Sequence, residues 1–419
     1  MDSASPEQPR ALSSLAATDS VENVVIFVSD ALRYDSVPEQ IRRRGITARA
    51  IAPSTFTANA LPSITSGKYP ATHKVWRFQD DRLASRPALF DEAAVDVGFN
   101  AETVWLMDDS SAKPPLRWNH LTEERTIDEL EPPFVHFIHD VGPHAPYGVD
   151  NTVWDSTREF FAATNDPMTL CERYQDDCVN SADRFDPVYD YLQSSGLLEE
   201  TLVIYTSDHG QVLGESTYGG QFGHVDPMCP ELVEIPVTFM GAGLPTDHEY
   251  PGLVSGTDVA PTALAAQGRS VPDECDGQQL WTATPGTDRT VRCDAWAYKP
   301  ITVRDTTIPI TAYAATGVWD RGGGHVFQRR SRLLRCAYLA HKLLRGTQAP
   351  VWRPNASFET LAGLARTYLR SEHSYGSPTV TADAARAAVP EQFTRASDRS
   401  FDASDEALEE KLADLGYLS

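Results

Sequence analysis

Lysine is almost missing from this chain. Its 419 residues hold six lysines, at positions 68, 74, 113, 299, 342 and 411, so the other thirty of its 36 basic residues are arginine. Against them stand 59 Asp and Glu residues, giving a formal net charge of -23. A surface of that sign repels nucleic acid and anionic lipid, which excludes a general reader of phosphate backbones. Dense carboxylates stay hydrated while salt screens their mutual repulsion, so the composition points to a protein soluble in high salt, a halophilic one. An ordinary acidic protein is the plainer alternative.

Other absences narrow the class further. The six cysteines, Cys171, Cys178, Cys229, Cys275, Cys293 and Cys336, form no CxxC pair, so neither a zinc-ribbon spacing nor a disulfide framework can be read from them. Scattered thiols fit a reducing compartment. The polar, Ala/Ser-rich start has no basic region leading into an apolar stretch. The longest apolar run, Val24 to Val28, is far too short to span a bilayer. Together these features lead us to expect a cytoplasmic protein with no integral membrane segment. No internal repeat is visible.

What is present is an alternating α/β pattern. Asn23-Val-Val-Ile-Phe-Val-Ser-Asp30 is a continuous apolar run ending in a carboxylate, the mark of a strand buried on both faces. Similar runs follow at Thr103 to Leu106, Phe134 to Ile138, Thr201 to Thr206 and Ile235 to Met240. Between them the spacing predicts helices from Leu89 to Val97 and from about Asp176 to Gly196. Strands alternating with helices argue for a doubly wound sheet. Residues 1–20 read as a disordered tail, 21–285 as the catalytic domain, and 286–419 as a looser C-terminal subdomain closed by a short helix from Glu406 to Gly416.

Several strands end in metal-ligand residue types. Asp30 ends the first, Asp140 lies just past another, and Asp208-His209 follow a third. In open α/β sheets ligands bind beyond the carboxyl ends of the strands, and carboxylates and imidazoles converging there suit a divalent cation. One such Asp alone is more often a helix cap. A second feature is the hydroxyl-rich loop from Ser54 that feeds a short helix ending at Gly67. Thr57 at its start is either an N-cap or a nucleophile toward phosphorus or sulfur, aided by the helix dipole. The basic stretch from Arg329 to Arg335 is the one positive patch, a solvated helix face or a site for a phosphorylated tail or acidic headgroup.

These words resemble the sulfatase branch of the alkaline phosphatase superfamily. The resemblance rests on Asn23 to Arg33, Leu61-Pro-Ser-Ile-Thr-Ser-Gly-Lys-Tyr-Pro70, Pro143-His-Ala-Pro-Tyr147, Leu202 to Gly210 and Val259-Ala-Pro-Thr262. It covers roughly residues 22 to 282, plus Leu412 to Leu418. It implies a central mixed sheet flanked by helices, with a smaller C-terminal subdomain. Registering on Gly67-Lys68-Tyr69-Pro70 places the family's nucleophile at Thr57. Sulfatases carry Cys or Ser there, within Cys-x-Pro-x-Arg, as the precursor of formylglycine; Thr57-Ala-Asn-Ala-Leu61 has neither that residue nor the arginine. A threonine at this place is similar to phosphodiesterase and nucleotide pyrophosphatase relatives.

Two more departures follow from the resemblance. Asp140-Val-Gly-Pro-His144 matches the ligand pair of a second metal in two-metal phosphatases, and His224 stands where sulfatases usually have lysine. The implied set is Asp30, Thr57, Asp208 and His209 on one metal, with Asp140, His144 and His224 on the other, and with Thr57, His144 and Lys68 in catalysis. The expected protein is a metal-dependent hydrolase or transferase of phosphoric esters, with two zinc or manganese ions. The alternatives are a sulfuric-ester hydrolase with one calcium or magnesium, or a non-catalytic binding protein of the same fold. The expected partner is a small-molecule or glycan phosphate or sulfate ester.

Overall fold

The computed structural model describes residues 8–78, 81–101, 113–148, 154, 156–303 and 306–395. The apolar runs form a large mixed sheet. Its strands are β1 (Asn23–Ser29), β2 (Ile46–Ile51), β3 (Asp96–Ala101), β4 (Phe134–Asp140), β5 (Thr201–Thr206), and, after the small hairpin β6 (Val212–Leu213) and β7 (Phe222–Gly223), β8 (Glu234–Gly241), β9 (His248–Glu249) and β10 (Val254–Ser255). The order is β10-β2-β8-β5-β1-β4-β3, with β9 beside β2. β1 lies centrally, parallel to both β4 and β5, while β8 runs antiparallel to β5 and β2. Burial on both faces is what continuous apolar strands require.

Helices cover the two faces, and β1 shows how its side chains are shared out. Val24, Ile26 and Val28 pack with Leu61 and Ile64 of α1 (Thr57–Ser66). Val25 and Phe27 pack instead with Leu170, Tyr174 and Phe185 of α2 (Pro167–Ser194). α3 (Val259–Ala266) lies on the α1 side. Alternation along the strand therefore decides which layer each side chain meets.

A second, antiparallel sheet follows: β11 (Val291–Val303), β12 (Thr306–Asp320), β13 (Gly323–Gln328) and β14 (Glu372–Gly376), in that order. It joins the first through a shared apolar cluster that includes Ile51, Leu253 and Trp319. Between β13 and β14 come α4 (Arg332–Arg345), α5 (Ala349–Asn355) and α6 (Phe358–Leu369).

Two expectations are corrected. Residues 8–20 are not a disordered tail: Leu12 is fully buried, its N–H donates to the Leu280 carbonyl, and Trp281 Nε1 donates to Asp19. One apolar side chain in the core anchors the polar stretch around it. The helix expected from Leu89 to Val97 is a short turn, Ala88–Phe90, leading into β3. Val97 and Phe99 alternate along β3, and pairing with β4 overrides the helical spacing. The strand expected at Thr103 to Leu106 and the closing helix lie outside the described residues. No described helix is long and apolar enough to cross a membrane.

Candidate metal and nucleophile site

The site forms where β1, β4 and β5 end together. β1 delivers Asp30, and the chain turns there through Ala31, which takes a positive φ. β5 is followed by Asp208 and His209. Asp208 Oδ1 accepts from the N–H groups of Ala31 (3.2 Å) and His209 (2.9 Å), which ties the two strand ends together. Thr57 opens α1, where the free N–H groups and dipole of a helix favour an anion. Its Oγ1 lies 3.2 Å from His209 Nε2 and 3.4 Å from Asp30 Oδ2. All four side chains are buried.

His209 has a defined tautomer. Its Nδ1 is 2.8 Å from the Gly210 carbonyl, which can only accept, so Nδ1 carries the hydrogen. In the neutral ring Nε2 is then an acceptor, and the single Thr57 hydroxyl hydrogen is within reach of both Nε2 and Asp30 Oδ2. This is a hydroxyl, a base and an orienting group in line.

β4 contributes a residue other than the expected one. Val135, Phe137 and His139 alternate onto the α1 face, whereas Phe134, Ile138 and Asp140 face α2. His139 Nε2 thus stands 3.5 Å from Asp30 Oδ2. Asp140 is turned away: Arg184 donates to it through Nε (2.6 Å) and Nη2 (2.8 Å), Ser181 Oγ donates at 2.7 Å, and the Gly142 N–H at 2.8 Å. Its carboxylate is fully used by protein donors. The signal in the sequence is strand parity, since His139 shares its parity with the positions that face α1.

His144 still reaches the site because the loop after β4 folds over Asp30. Gly142 has φ +53°, and a Cβ there would strike the Asp30 backbone, so glycine is required on both counts. His224 follows β7. Its ring stacks on His209 with centroids 4.7 Å apart, and lies 4.8 Å from the His144 ring. Lys68 is not brought in. It follows Gly67, the left-handed cap at the far end of α1, about 15 Å of helix from Thr57. Its Nζ pairs with Glu274 at 3.3 Å. Arg33 pairs with Asp35 and Glu215, and His73 bonds to Ser63 inside the fold.

Electrostatics separate the groups. Burial opposes ionisation of Asp30, but His144, His139 and His209 together hold it well below the usual carboxylate range. Burial and the Asp30 charge push Asp208 up. Burial opposes a charge on His139, yet its contacts with Asp30 and Asp208 raise it above the ordinary imidazole value. Burial lowers His144, and burial with the neighbouring rings lowers His224 further, which disfavours charge on both rings.

Asp30, His139 and Asp208 offer ligand atoms within 4.8 Å of one another, and no other three such side chains converge in this way among the described residues. Asp30 Oδ1, Asp208 Oδ2 and His139 Nδ1 are buried without a hydrogen bond. Buried atoms of that kind are costly unless a cation meets them, so the donor set fits one divalent ion. The second set, Asp140, His144 and His224, is not assembled, because Asp140 belongs to Arg184.

Beyond the histidines a cleft with a cavity volume of about 100 Å³ opens to solvent. His144, His224 and Gln211 form its inner end, and Tyr298, Tyr338 and Lys342 of the C-terminal subdomain form its wall. Asp226, also at the wall, is bonded by Tyr338 (2.6 Å), Lys342 (2.7 Å) and Tyr368. No motif in the sequence marked Asp226, Tyr338 or Lys342, which meet only through tertiary packing.

Comparison with known proteins agrees with this architecture. The sequence model of the sulfatase family matches residues 118–268. The chain is 42% identical over 409 residues to a low-salt glycan biosynthesis sulfotransferase of Haloferax volcanii, covering 97% of this chain and 99% of that protein. It is 36% identical over 91 residues to mouse arylsulfatase K, covering 22% of this chain and 16% of the enzyme. Among solved structures, the phosphonate monoester hydrolase of Agrobacterium radiobacter has the same fold, with TM-score 0.56, 13% identity, and coverage of 83% of this chain and 96% of that one.

Proposed function

The chain belongs to the sulfatase family, and from that premise we propose that it transfers a sulfuryl group from a sulfate ester to a hydroxyl acceptor through Thr57. The observation that carries this reading is the Thr57–His209–Gly210 arrangement, a hydroxyl beside an oriented imidazole at a place that holds neither Cys nor Ser. Full-length likeness to a protein named as a glycan sulfotransferase supports sulfur as the centre attacked and a glycan hydroxyl as the acceptor. The placement of Asp140 supports the same choice, because it removes one of the departures that favoured a two-metal phosphatase.

The steps follow from the side chains. A sulfate ester enters the cleft and its sulfuryl oxygens accept hydrogen bonds from the ring N–H groups of His144 and His224. Thr57 Oγ1 gives its proton to His209 Nε2 and bonds to sulfur. The ester oxygen leaves on the opposite side, toward the cleft, and takes a proton from solvent. Threonine O-sulfate has no second hydroxyl through which to expel sulfate, so it persists until another nucleophile reaches sulfur in line. An acceptor hydroxyl then takes the sulfuryl group, loses its proton to solvent, and the Thr57 oxygen regains its proton from His209. Asp30, His139 and Asp208 would hold one divalent cation, which when bound stabilises negative charge developing on the transferred group.

A second reading, phosphoryl transfer by the same threonine, is favoured by Thr57 itself, since a plain hydroxyl attacks phosphorus directly. Both readings call for assays in high salt, which the acidic, lysine-poor surface favours. The test sets aryl sulfates against aryl phosphates, with and without sugar hydroxyls. Sulfate turnover that rises with acceptor, and a Thr57 peptide heavier by one sulfuryl group, are expected. Thr57→Ala should lose about 10^4-fold or more in turnover. Turnover of phosphates alone selects the second reading, and full activity in Thr57→Ala removes both.

A further inference from the structure

The segment from Arg329 to Arg370 inverts the character of the chain. It carries nine Arg or Lys residues against a single acid, Glu359, in a protein with a net charge of -23. Six of the eight large apolar side chains that stand exposed among the described residues also lie here, on α4 and α6. Leu333 is 80% and Phe358 88% exposed, with Leu344 and Leu361 more than half exposed. Soluble proteins scatter single exposed leucines, but a concentrated set on two packed helices marks a surface that meets something.

α4 has two distinct faces. Arg335, Tyr338 and Lys342 turn inward, and Tyr338 and Lys342 line the cleft. Leu333, Ala337, Ala340 and Leu344 recur at helical spacing on the exposed side. Arg332, Arg345 and Arg366 are exposed on the same two helices. Apolar side chains framed by arginine are the composition of a helix that lies in a membrane interface. Nucleic acid would use the arginines but leave the leucines in water.

We propose that α4 and α6 form a docking face for an anionic lipid surface, which presents the mouth of the cleft to substrates held at that surface. Charge complementarity selects this occupant: the rest of the chain is repelled by such a surface, so only this face can approach it. Because Leu333, Leu344 and Phe358 touch solvent and not the core, they can be changed without disturbing the fold.

The test is flotation of the full chain with phosphatidylglycerol vesicles and with phosphatidylcholine vesicles, at low and at molar salt. The wild-type chain should float with phosphatidylglycerol. Leu333→Ser, Leu344→Ser and Phe358→Ser combined should weaken this about tenfold or more, while turnover of a soluble aryl ester is unchanged. Arg332→Gln with Arg366→Gln should reduce the preference for phosphatidylglycerol at low salt, and molar salt should reduce it in the wild type. Two results would overturn the proposal: the wild type failing to float with phosphatidylglycerol at either salt, or the serine variant floating as the wild type does. A wild-type dimer in solution that the serine variant converts to monomer would assign the face to a second copy instead.

Discussion

The two faces of the central sheet put the same residue types to opposite uses. On the α1 face, Asp30 and Asp208 each keep a buried oxygen without a hydrogen bond, and His139 lies among them. On the α2 face, Asp140 is bonded by Arg184, Ser181 and Gly142. The histidines of β4 differ in their electrostatic surroundings. His139 is held above the ordinary imidazole value by two carboxylates despite its burial. His136, three residues earlier, is pushed down by burial to about 4 and bonds to Asn100. A buried carboxylate whose acceptor sites are filled serves the fold, and one left open is available for chemistry.

The sharpest way to break this comparison is at the open carboxylates. Asp30→Asn or Asp208→Asn should lower turnover by about 10^2-fold or more and release bound metal, read by elemental analysis. Unchanged metal content would show that the open oxygens do not meet a cation. Asp140→Ala should do the converse. It strands Arg184, which keeps 30% of its side chain in solvent, and should cost about 2–3 kcal/mol in denaturant unfolding. Metal content and turnover of the folded fraction should hold. Loss of one metal per chain would restore Asp140 as a ligand.

His136 offers a smaller effect with a defined sign. Its value is 6.5 when unfolded and about 4 when folded, so the unfolded chain binds more protons between those limits. Its contribution is complete above pH 6.5 and is lost as pH falls to about 4. His136→Gln keeps a donor for Asn100 and removes the titration. The fall in stability across that window should shrink by roughly 2–3 kcal/mol relative to wild type, measured by urea unfolding. An identical pH profile would show that His136 charges freely in the fold. The smallest effect belongs to Lys68→Ala. It breaks one exposed pair with Glu274, and should leave turnover within about twofold and stability within about 1 kcal/mol.

Much of the site was legible because strand ends carry local signals. Apolar runs ending in Asp30 and Asp208 mark buried strands and their carboxyl ends, and Gly67 marks where α1 stops. Placing Asp140 needed one further step. A strand shows consecutive residues to opposite sides, so His139 and Asp140 cannot serve the same site from β4. Lys68 lies outside the site for a related reason: adjacency to a family word says nothing about which end of a helix faces the chemistry.

The sequence by itself determined the strand and helix alternation, the family, and the places of Thr57, Asp30 and Asp208 at the ends of their elements, since each depends on composition and spacing within a few residues. Only the tertiary structure decided that His139 takes the place expected of Asp140, that residues 8–20 pack into the core, and that Asp226, Tyr338 and Lys342 form the cleft wall. Those outcomes depend on which distant segment fills a partner's hydrogen bonds or covers its apolar surface. Arg184 claims Asp140 from 44 positions away, and no local pattern encodes that choice.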